Sequence, residues 1–313
     1  MKIQQLKYAI EVQRRGLNLS DAAEALHTSQ PGISKQIKLL EEELGVDIFV
    51  RNGKRVVDVT EAGKQVLTYA ARVLHEAENL KQASREFSSD KSGSFTIATT
   101  HTQARYVLPP VIKTFTQKYP EVRLNLHQGN PIQVAEEVVA GRADIAIATE
   151  GMELYNDLIM LPCYKWNRCI VTPPDHPLLK ISPLTLEALA KFPLITYDFA
   201  FTGRSKINQA FEARGLTPNV VLTALDSDVI KTYVELGLGV GILAAMAFEP
   251  ARDVNLRVMN ADHLFESSLT RIGIRRGSYL RRYVYDFIEL FSPQLNQKTV
   301  KAAIAGTGSD YEL

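Results

Sequence analysis

Residues 28–49 read TSQPGISKQIKLLEEELGVDIF. Thr28 or Ser29 can cap a helix with a side-chain oxygen, and Pro31 is tolerated in a first turn, where its missing N–H costs little. At 3.6 residues per turn Ile33, Ile37, Leu40 and Leu44 share one face. Ser34, Lys35 and Lys38 fall opposite, with Gln30 beside them near the start, and Gly45 ends the helix. Alone, this is one amphipathic helix among many. Its flanks decide what it is for.

Upstream, Lys2–Arg14 carries Leu6, Ala9 and Ile10 at helical spacing, and Ser20 is the expected cap of a short second helix with Ala22, Ala23 and Leu26 inward. Small residues there permit close crossing. Helix, short turn, helix is the arrangement in which the second helix enters the DNA major groove and its first residues meet base edges. Downstream, Asp47–Arg51 and Val56–Val59 read as strands around the Asn52-Gly53 turn signal, giving a winged helix-turn-helix. The expected DNA-contacting set is Ser29, Gln30, Pro31, Ser34, Lys35 and Lys38 on the helix, with Arg51, Lys54 and Arg55 at the wing. Residues 1–60 hold nine Lys/Arg and eight Asp/Glu, so bulk charge is no argument for DNA binding and the placement of the charges is. Glu41, Glu42 and Glu43 read as a solvated run.

Thr60 is a plausible cap for the next helix. Val66, Ala70, Val73, Ala77, Leu80, Ser84 and Phe87 alternate spacings of four and three, a seam that argues for pairing with a partner helix. The expected domains are 1–59 (winged domain), 60–87 (dimerisation helix), 88–94 (hinge, SSDKSGS), 95–293 (a ligand-binding domain) and 294–313 (tail). From Phe95 strands and helices alternate in two series separated by a proline-rich break, Pro173-Pro174 to Pro183. This predicts a mostly parallel α/β domain with two lobes. Ligands in such folds sit beyond the carboxyl ends of strands. Three such ends carry threonines: Thr99-Thr100-His101-Thr102-Gln103, Thr149-Glu150, and the loop reaching Thr202-Gly203. Any one threonine would be read as a helix cap, but their shared position suits a small anion held by hydroxyls and free N–H groups.

Much is excluded by composition. The chain has 313 residues, 45% hydrophobic content, a net charge of +1 and two cysteines, Cys163 and Cys169, without CxxC or zinc-ligand spacing. No apolar run approaches a membrane span, so a cytoplasmic protein without membrane contact is expected. No Ser/His/Asp set, metal cluster or paired carboxylates stand out, so neither catalysis nor a metal or cofactor is expected. Gly237–Gly241 is not a dinucleotide fingerprint. His101 and His127 fall near loops. A redox switch at Cys163 and Cys169, which flank Trp166, is a minor alternative.

The run SQPGISKQIKLLEEELGVDIFVR and the TEAG helix start resemble the LysR-type transcriptional regulators, and the resemblance spans essentially the whole chain. Within that family, IATTHTQARYVLP, ADIAIATE, LPCYKWNR and FTGRS look like the branch that controls sulfur assimilation and cysteine biosynthesis. The resemblance implies a periplasmic-binding-protein-like effector domain and a homodimer or homotetramer working on double-stranded promoter DNA with RNA polymerase. It also implies an effector between the lobes: N-acetylserine, O-acetylserine, sulfate or thiosulfate. The effector-contacting residues it implies are Thr100, Thr102, Gln103, Thr149 and Thr202, with Trp166 nearby. A sister branch that senses adenosine phosphosulfate is the alternative. A solute receptor or enzyme on the two-lobed fold is the alternative of another class, and neither needs a winged domain.

Overall fold

The computed structural model describes residues 1–53, 55–88, 92–149, 151–198 and 203–306; for 82, 85–88, 203 and 204 only the backbone is described. Lys54 and Thr202 therefore lie outside the described residues, as does the chain beyond 306. The chain divides into two compact units, Met1–Arg85 and Glu86–Leu313.

The first unit runs α1 (Ile3–Arg14), α2 (Leu19–Ala25), α3 (Gln30–Leu44), β1 (Phe49–Asn52), β2 (Arg55–Val59) and the long α4 (Glu61–Ser88). The Ser29 hydroxyl accepts the Gly32 N–H at 3.2 Å, and Gly45 closes α3 at φ 71°, in the left-handed region that suits glycine. Asn18, not Ser20, caps α2, because its Oδ1 accepts the N–H of Ser20 and of Asp21. Ile33, Ile37 and Leu40 are fully buried against Leu6, Ala9, Ile10, Ala22 and Ala23. Leu44, expected on that face, is exposed instead. It falls in the last turn, past Glu41, the last buried residue of α3. β1 and β2 pair antiparallel around Gly53 (φ 63°).

Thr60 caps α4, its hydroxyl accepting the Gly63 N–H at 2.8 Å. The 28 residues of α4 span roughly 42 Å. Leu67 and Ala70 are buried in the core of the winged unit, whereas Val73 and Leu80 are exposed, Leu80 at 72%. The start of the expected seam is thus used inside the unit, and only the part beyond Val73 stands clear of it.

The second unit contains β3 (Ser92–Thr99), α5 (Leu108–Lys118), β4 (Glu121–Gln128), α6 (Pro131–Val139), β5 (Ile145–Ala148), β6 (Leu158–Trp166), β7 (Arg168–Thr172), α7 (Leu186–Leu189), β8 (Leu194–Tyr197), α8 (Gly203–Glu212), β9 (Val220–Ala224), α9 (Ser227–Glu235), β10 (Val240–Ala244), β11 (Arg257–Asn260), β12 (Ser268–Arg275), α10 (Arg282–Phe291) and α11 (Gln297–Ile304). Its two five-stranded sheets have the same plan, β4-β3-β5-β12-β6 and β9-β8-β10-β7-β11. Three parallel strands form one side of each sheet. The neighbouring strand, β12 or β7, is antiparallel and arrives from the other lobe. The sheets are mixed rather than mostly parallel, because the chain crosses between lobes twice, at residue 167 and over 261–267. Strands such as IAIA (145–148) and LITY (194–197) are buried throughout, as interior parallel strands covered on both faces must be.

Arg168 joins the two crossings. It is 1% exposed and donates to the Glu266 carbonyl and the Ser268 hydroxyl, each at 2.9 Å, with its guanidinium 5.2 Å from the Trp166 ring. Two expected boundaries move. The hinge over 88–94 is shorter, since α4 runs through Ser88 and Ser92–Ser94 already pair with Glu121–Arg123. The tail from 294 is no appendage. Leu295 and Val300 are buried in the first-lobe core with Phe287 and Phe291.

Candidate nucleic-acid and effector sites

In the winged unit an open concavity between α3 and the β-hairpin is lined by Gln30, Ser34, Lys35, Lys38 and Arg51. The side chains expected to face DNA thus share one surface. Pro31 is exposed at the helix start, Arg55 is exposed on β2, and Lys38 faces outward with its side chain 74% exposed, its ammonium 3.8 Å from Glu42 one turn along α3. Ser29 is committed to its cap, so its contribution is to fix where α3 begins. Arg51 is tethered, its guanidinium 2.7 Å from Glu41.

Glu41 departs from its expected place. The run Glu41-Glu42-Glu43 reads as solvated, yet the Glu41 side chain is only 4% exposed. Its Oε1 accepts the N–H of Ile48 at 2.9 Å and of Phe49 at 3.1 Å. One carboxylate therefore ties the end of α3 to the start of the wing and to Arg51. The signal is present in the sequence: Glu41 follows the core residue Leu40 and lies one helical turn from Ile37.

In the second unit the described members of the expected effector set, Thr100, Thr102, Gln103, Thr149 and Trp166, lie toward one sheet end. Thr99 pairs with Ile147, so Thr100 and Thr149 leave adjacent strands side by side. The next strands add Thr270 opposite Tyr164 and Ser268 opposite Trp166. Gln103 is 1% exposed; its amide accepts from the Tyr164 hydroxyl at 2.5 Å and donates to Thr270 at 3.3 Å. Thr102 meets Tyr197 of the second lobe, whose hydroxyl also contacts Ser227 (2.7 Å) and the Ala244 N–H (3.0 Å). Burial pushes the Tyr164 phenol up to about 12 and raises that of Tyr197, so both remain protonated donors. Thr99 and Thr196 are counterparts in the two lobes, each hydroxyl donating to a carbonyl of the neighbouring strand (Ile147 at 2.8 Å, Ile242 at 3.1 Å).

The indole N–H of Trp166 is buried and finds no acceptor among the described residues. An indole nitrogen can only donate, and a buried donor left unpaired costs roughly 1–3 kcal/mol. A ligand with acceptor oxygens would relieve it. Sequence alone does not single out Tyr164, Thr270 or Tyr197. Tyr164 and Trp166 do alternate with the buried Cys163, the period-two signal of a strand.

The remaining candidates resolve simply. Cys163 and Cys169 are buried free thiols, each pushed up to about 12 by burial, so neither offers a thiolate for redox signalling near neutral pH. His127 pairs with Glu137 at 3.2 Å on the outer strand β4. His101, Asp226 and Asp228 bring ligand-type atoms within 4.8 Å of one another. However, Asp226 caps α9 and Asp228 is bonded to Tyr106 and paired with Lys231, so these carboxylates already have partners. Among the described residues no helix is long and apolar enough to cross a membrane.

Comparison with known proteins supplies the context. Residues 3–64 match the family described as "Bacterial regulatory helix-turn-helix protein, lysR family", and residues 88–296 match "LysR substrate binding domain". The HTH-type transcriptional regulator CysB of Burkholderia cenocepacia is 52% identical over all of both chains. The regulator SsuR of the same organism is also 52% identical, over 98% of each. Among solved structures, the cofactor-binding domain of the Cbl transcriptional regulator is 47% identical with a TM-score of 0.67, covering 69% of this chain and 95% of that one.

Proposed function

We propose that this chain, which belongs to the LysR family of bacterial transcriptional regulators, is a CysB-like activator of sulfur-assimilation and cysteine-biosynthesis genes. Full-length identity of 52% to a CysB carries the reading, and the composition of the effector cleft agrees with it. Members of the family are regulators, not enzymes, which disposes of the enzyme alternative. Such a regulator works on promoter DNA with RNA polymerase, in the cytoplasm, as a homodimer or homotetramer paired through the exposed part of α4.

The effector is a small oxygen-rich anion, N-acetylserine, O-acetylserine, sulfate or thiosulfate, held by Thr100, Thr102, Gln103 and Thr149. Trp166 donates its otherwise unpaired N–H; Thr202, which the family resemblance adds to the set, lies outside the described residues. The cluster of neutral hydroxyl, amide and indole donors suits an anion, and the buried Arg168 guanidinium, 5.2 Å from the Trp166 ring, adds a positive charge beside it. Ligand binding shifts the equilibrium between lobe arrangements by its differential affinity for them, and the paired winged domains respond. Titration of the tryptophan fluorescence of the full-length chain tests this, because Trp166 is the only tryptophan. A saturable response to an acetylserine or to sulfate is expected. No response to any of the four by folded protein would remove the cleft as the effector site. The 47% identity to the Cbl domain keeps a Cbl-like regulator as the second reading, for which the family resemblance implies adenosine phosphosulfate as the ligand. Its mark would be a tightest response to that ligand.

On DNA, Lys38→Ala should weaken binding on all sequences, by roughly the worth of one phosphate contact, and flatten the salt dependence by a slope of about 0.9. Gln30→Ala and Ser34→Ala should instead relax base preference, at about 1–3 kcal/mol for each bidentate pairing with a base that is removed. Footprints on an operator and on scrambled DNA at two salt concentrations separate the two. A footprint unmoved by both helix-start variants would contradict the assignment.

A further inference from the structure

The segment that begins with the effector-site residues continues into a five-residue π-helical turn, Gln103–Val107. Turns of this kind are rare and recur at functional sites. Its far side does not rest on its own lobe. Tyr106 donates its hydroxyl to Asp228 of α9, in the second lobe, at 2.6 Å. Around that bond Arg105 lies 3.8 Å from Asp228 and 3.5 Å from Glu249, and His101 lies 3.8 Å from Asp228. Asp228 is itself pinned. Lys231, one turn along α9 and 7% exposed, lies 3.4 Å from it, 3.0 Å from Asp253 and 5.2 Å from the Tyr106 ring centroid.

This contact is separate from the covalent crossings at 167 and 261–267, and from the Arg168 bridge that joins them. It links the turn bearing Thr102 and Gln103 to the N-terminus of α9. We infer that Tyr106 is a positioning residue that couples the effector site to the second lobe, acting through Asp228 as an inter-lobe latch. Its hydroxyl registers a shift of the 100–107 segment and passes it to α9, because the other end of the bond is held by a buried lysine. A change in the threonine-bearing turn then reaches α9, a different element of the second lobe from the Tyr197 strand that Thr102 touches. The inference rests on the effector reading of the cleft.

The test compares Tyr106→Phe with Tyr119→Phe in the full-length chain. Tyr119 donates to Asp286 at the same 2.6 Å, but both lie in the first lobe, so this variant loses a matched bond without a cross-lobe link. Each protein is saturated with sulfate and with N-acetylserine, occupancy being followed by calorimetry. Hydrogen exchange is then read by mass spectrometry over 227–235 and 245–253. The wild type and Tyr119→Phe should show at least fivefold slower exchange in these peptides when ligand is bound. Tyr106→Phe should still bind, keep protection over 97–107, and show less than a twofold change in the second lobe. Undiminished second-lobe protection in Tyr106→Phe, or equal loss in Tyr119→Phe, would overturn the latch. Calorimetric silence of the wild type toward these two ligands and also toward O-acetylserine and thiosulfate would instead refute the effector reading, and the latch with it.

Discussion

Glu41→Ala should destabilise the winged unit by about 2–4 kcal/mol, since an unsatisfied buried donor costs about 1–3 kcal/mol and two backbone N–H groups lose their acceptor. The carboxylate accepts two backbone N–H groups at the start of the wing and pairs with Arg51. Truncation leaves those N–H groups buried without an acceptor and leaves Arg51 without its partner. Domains of this size are stable by only about 5–15 kcal/mol, so the loss removes a large part of the total. Operator binding should fall on every sequence, since the damage is to the frame that carries α3. Glu41→Gln should lose less, because its carbonyl oxygen can still accept from Ile48 and Phe49 while only the ion pair is forfeited. Urea denaturation followed by circular dichroism measures the change. Fluorescence of Trp166, which lies in the other unit, should report an unaltered transition. A loss below about 1 kcal/mol would show that Glu41 is as dispensable as its exposed neighbours, Glu42 and Glu43.

Gly63→Ala is the second large effect, and two terms oppose each other in it. Gly63 lies in the first turn of α4, where helix propensity alone would favour alanine by up to about 1 kcal/mol. A Cβ there would stand 2.0 Å from the Ile48 carbonyl oxygen and 2.8 Å from its carbon. The obstacle is backbone, which no rotamer change can move aside. Ile48 is also fully buried, and its carbonyl accepts the Thr60 N–H at 3.0 Å. Separating the two segments would strain that bond and open the core around Ile48 and Leu67. Overpacking of this kind costs typically about 1–3 kcal/mol and sometimes more. The clash wins, and a net loss of about 2 kcal/mol is expected in the same denaturation experiment. A stabilised Gly63→Ala would mean that propensity dominates and that α4 can slide away from the wing at little cost.

Local chemistry makes the first unit readable. The Ser29 cap, the Ile33–Ile37–Leu40 stripe, the stop at Gly45, the Asn52-Gly53 turn and the Thr60 cap each involve residues a few positions apart, and each is found as expected. Where expectation and structure part, the partner is remote or the choice lies between near neighbours. Glu41 reads as solvated because a run of three glutamates is ordinarily exposed, and the spacing from Ile37 that marks it as inward does not name the wing as its partner. Leu44 reads as inward because periodicity does not say where the buried face of α3 stops.

In the second unit the strand ends carrying Thr100 and Thr149 are legible, since each follows a buried apolar run. The sheets' antiparallel members, β7 and β12, are not. They are strands whose pairing partners lie in sequence regions that only the crossings bring together. The same holds for Arg168, a buried cation spanning the crossings, and for Tyr164 and Thr270, which hold the Gln103 amide. The helix over Gln297–Ile304 escapes notice because its one deeply buried residue, Val300, gives almost no periodic signal.

The stretch TSQPGISKQIKLLEEELGVDIF determined by itself that a capped, amphipathic helix with a polar and basic face would form, because propensity, capping and period act within a few turns of chain. The same local signals marked threonine-bearing strand ends. Tertiary structure alone decided that Glu41 joins that helix to its wing and that Tyr197 closes on Thr102. It alone decided that Tyr106 reaches Asp228 across the lobes. Those contacts join residues from 7 to 122 positions apart, and no local energy term selects such a partner until the intervening chain has folded.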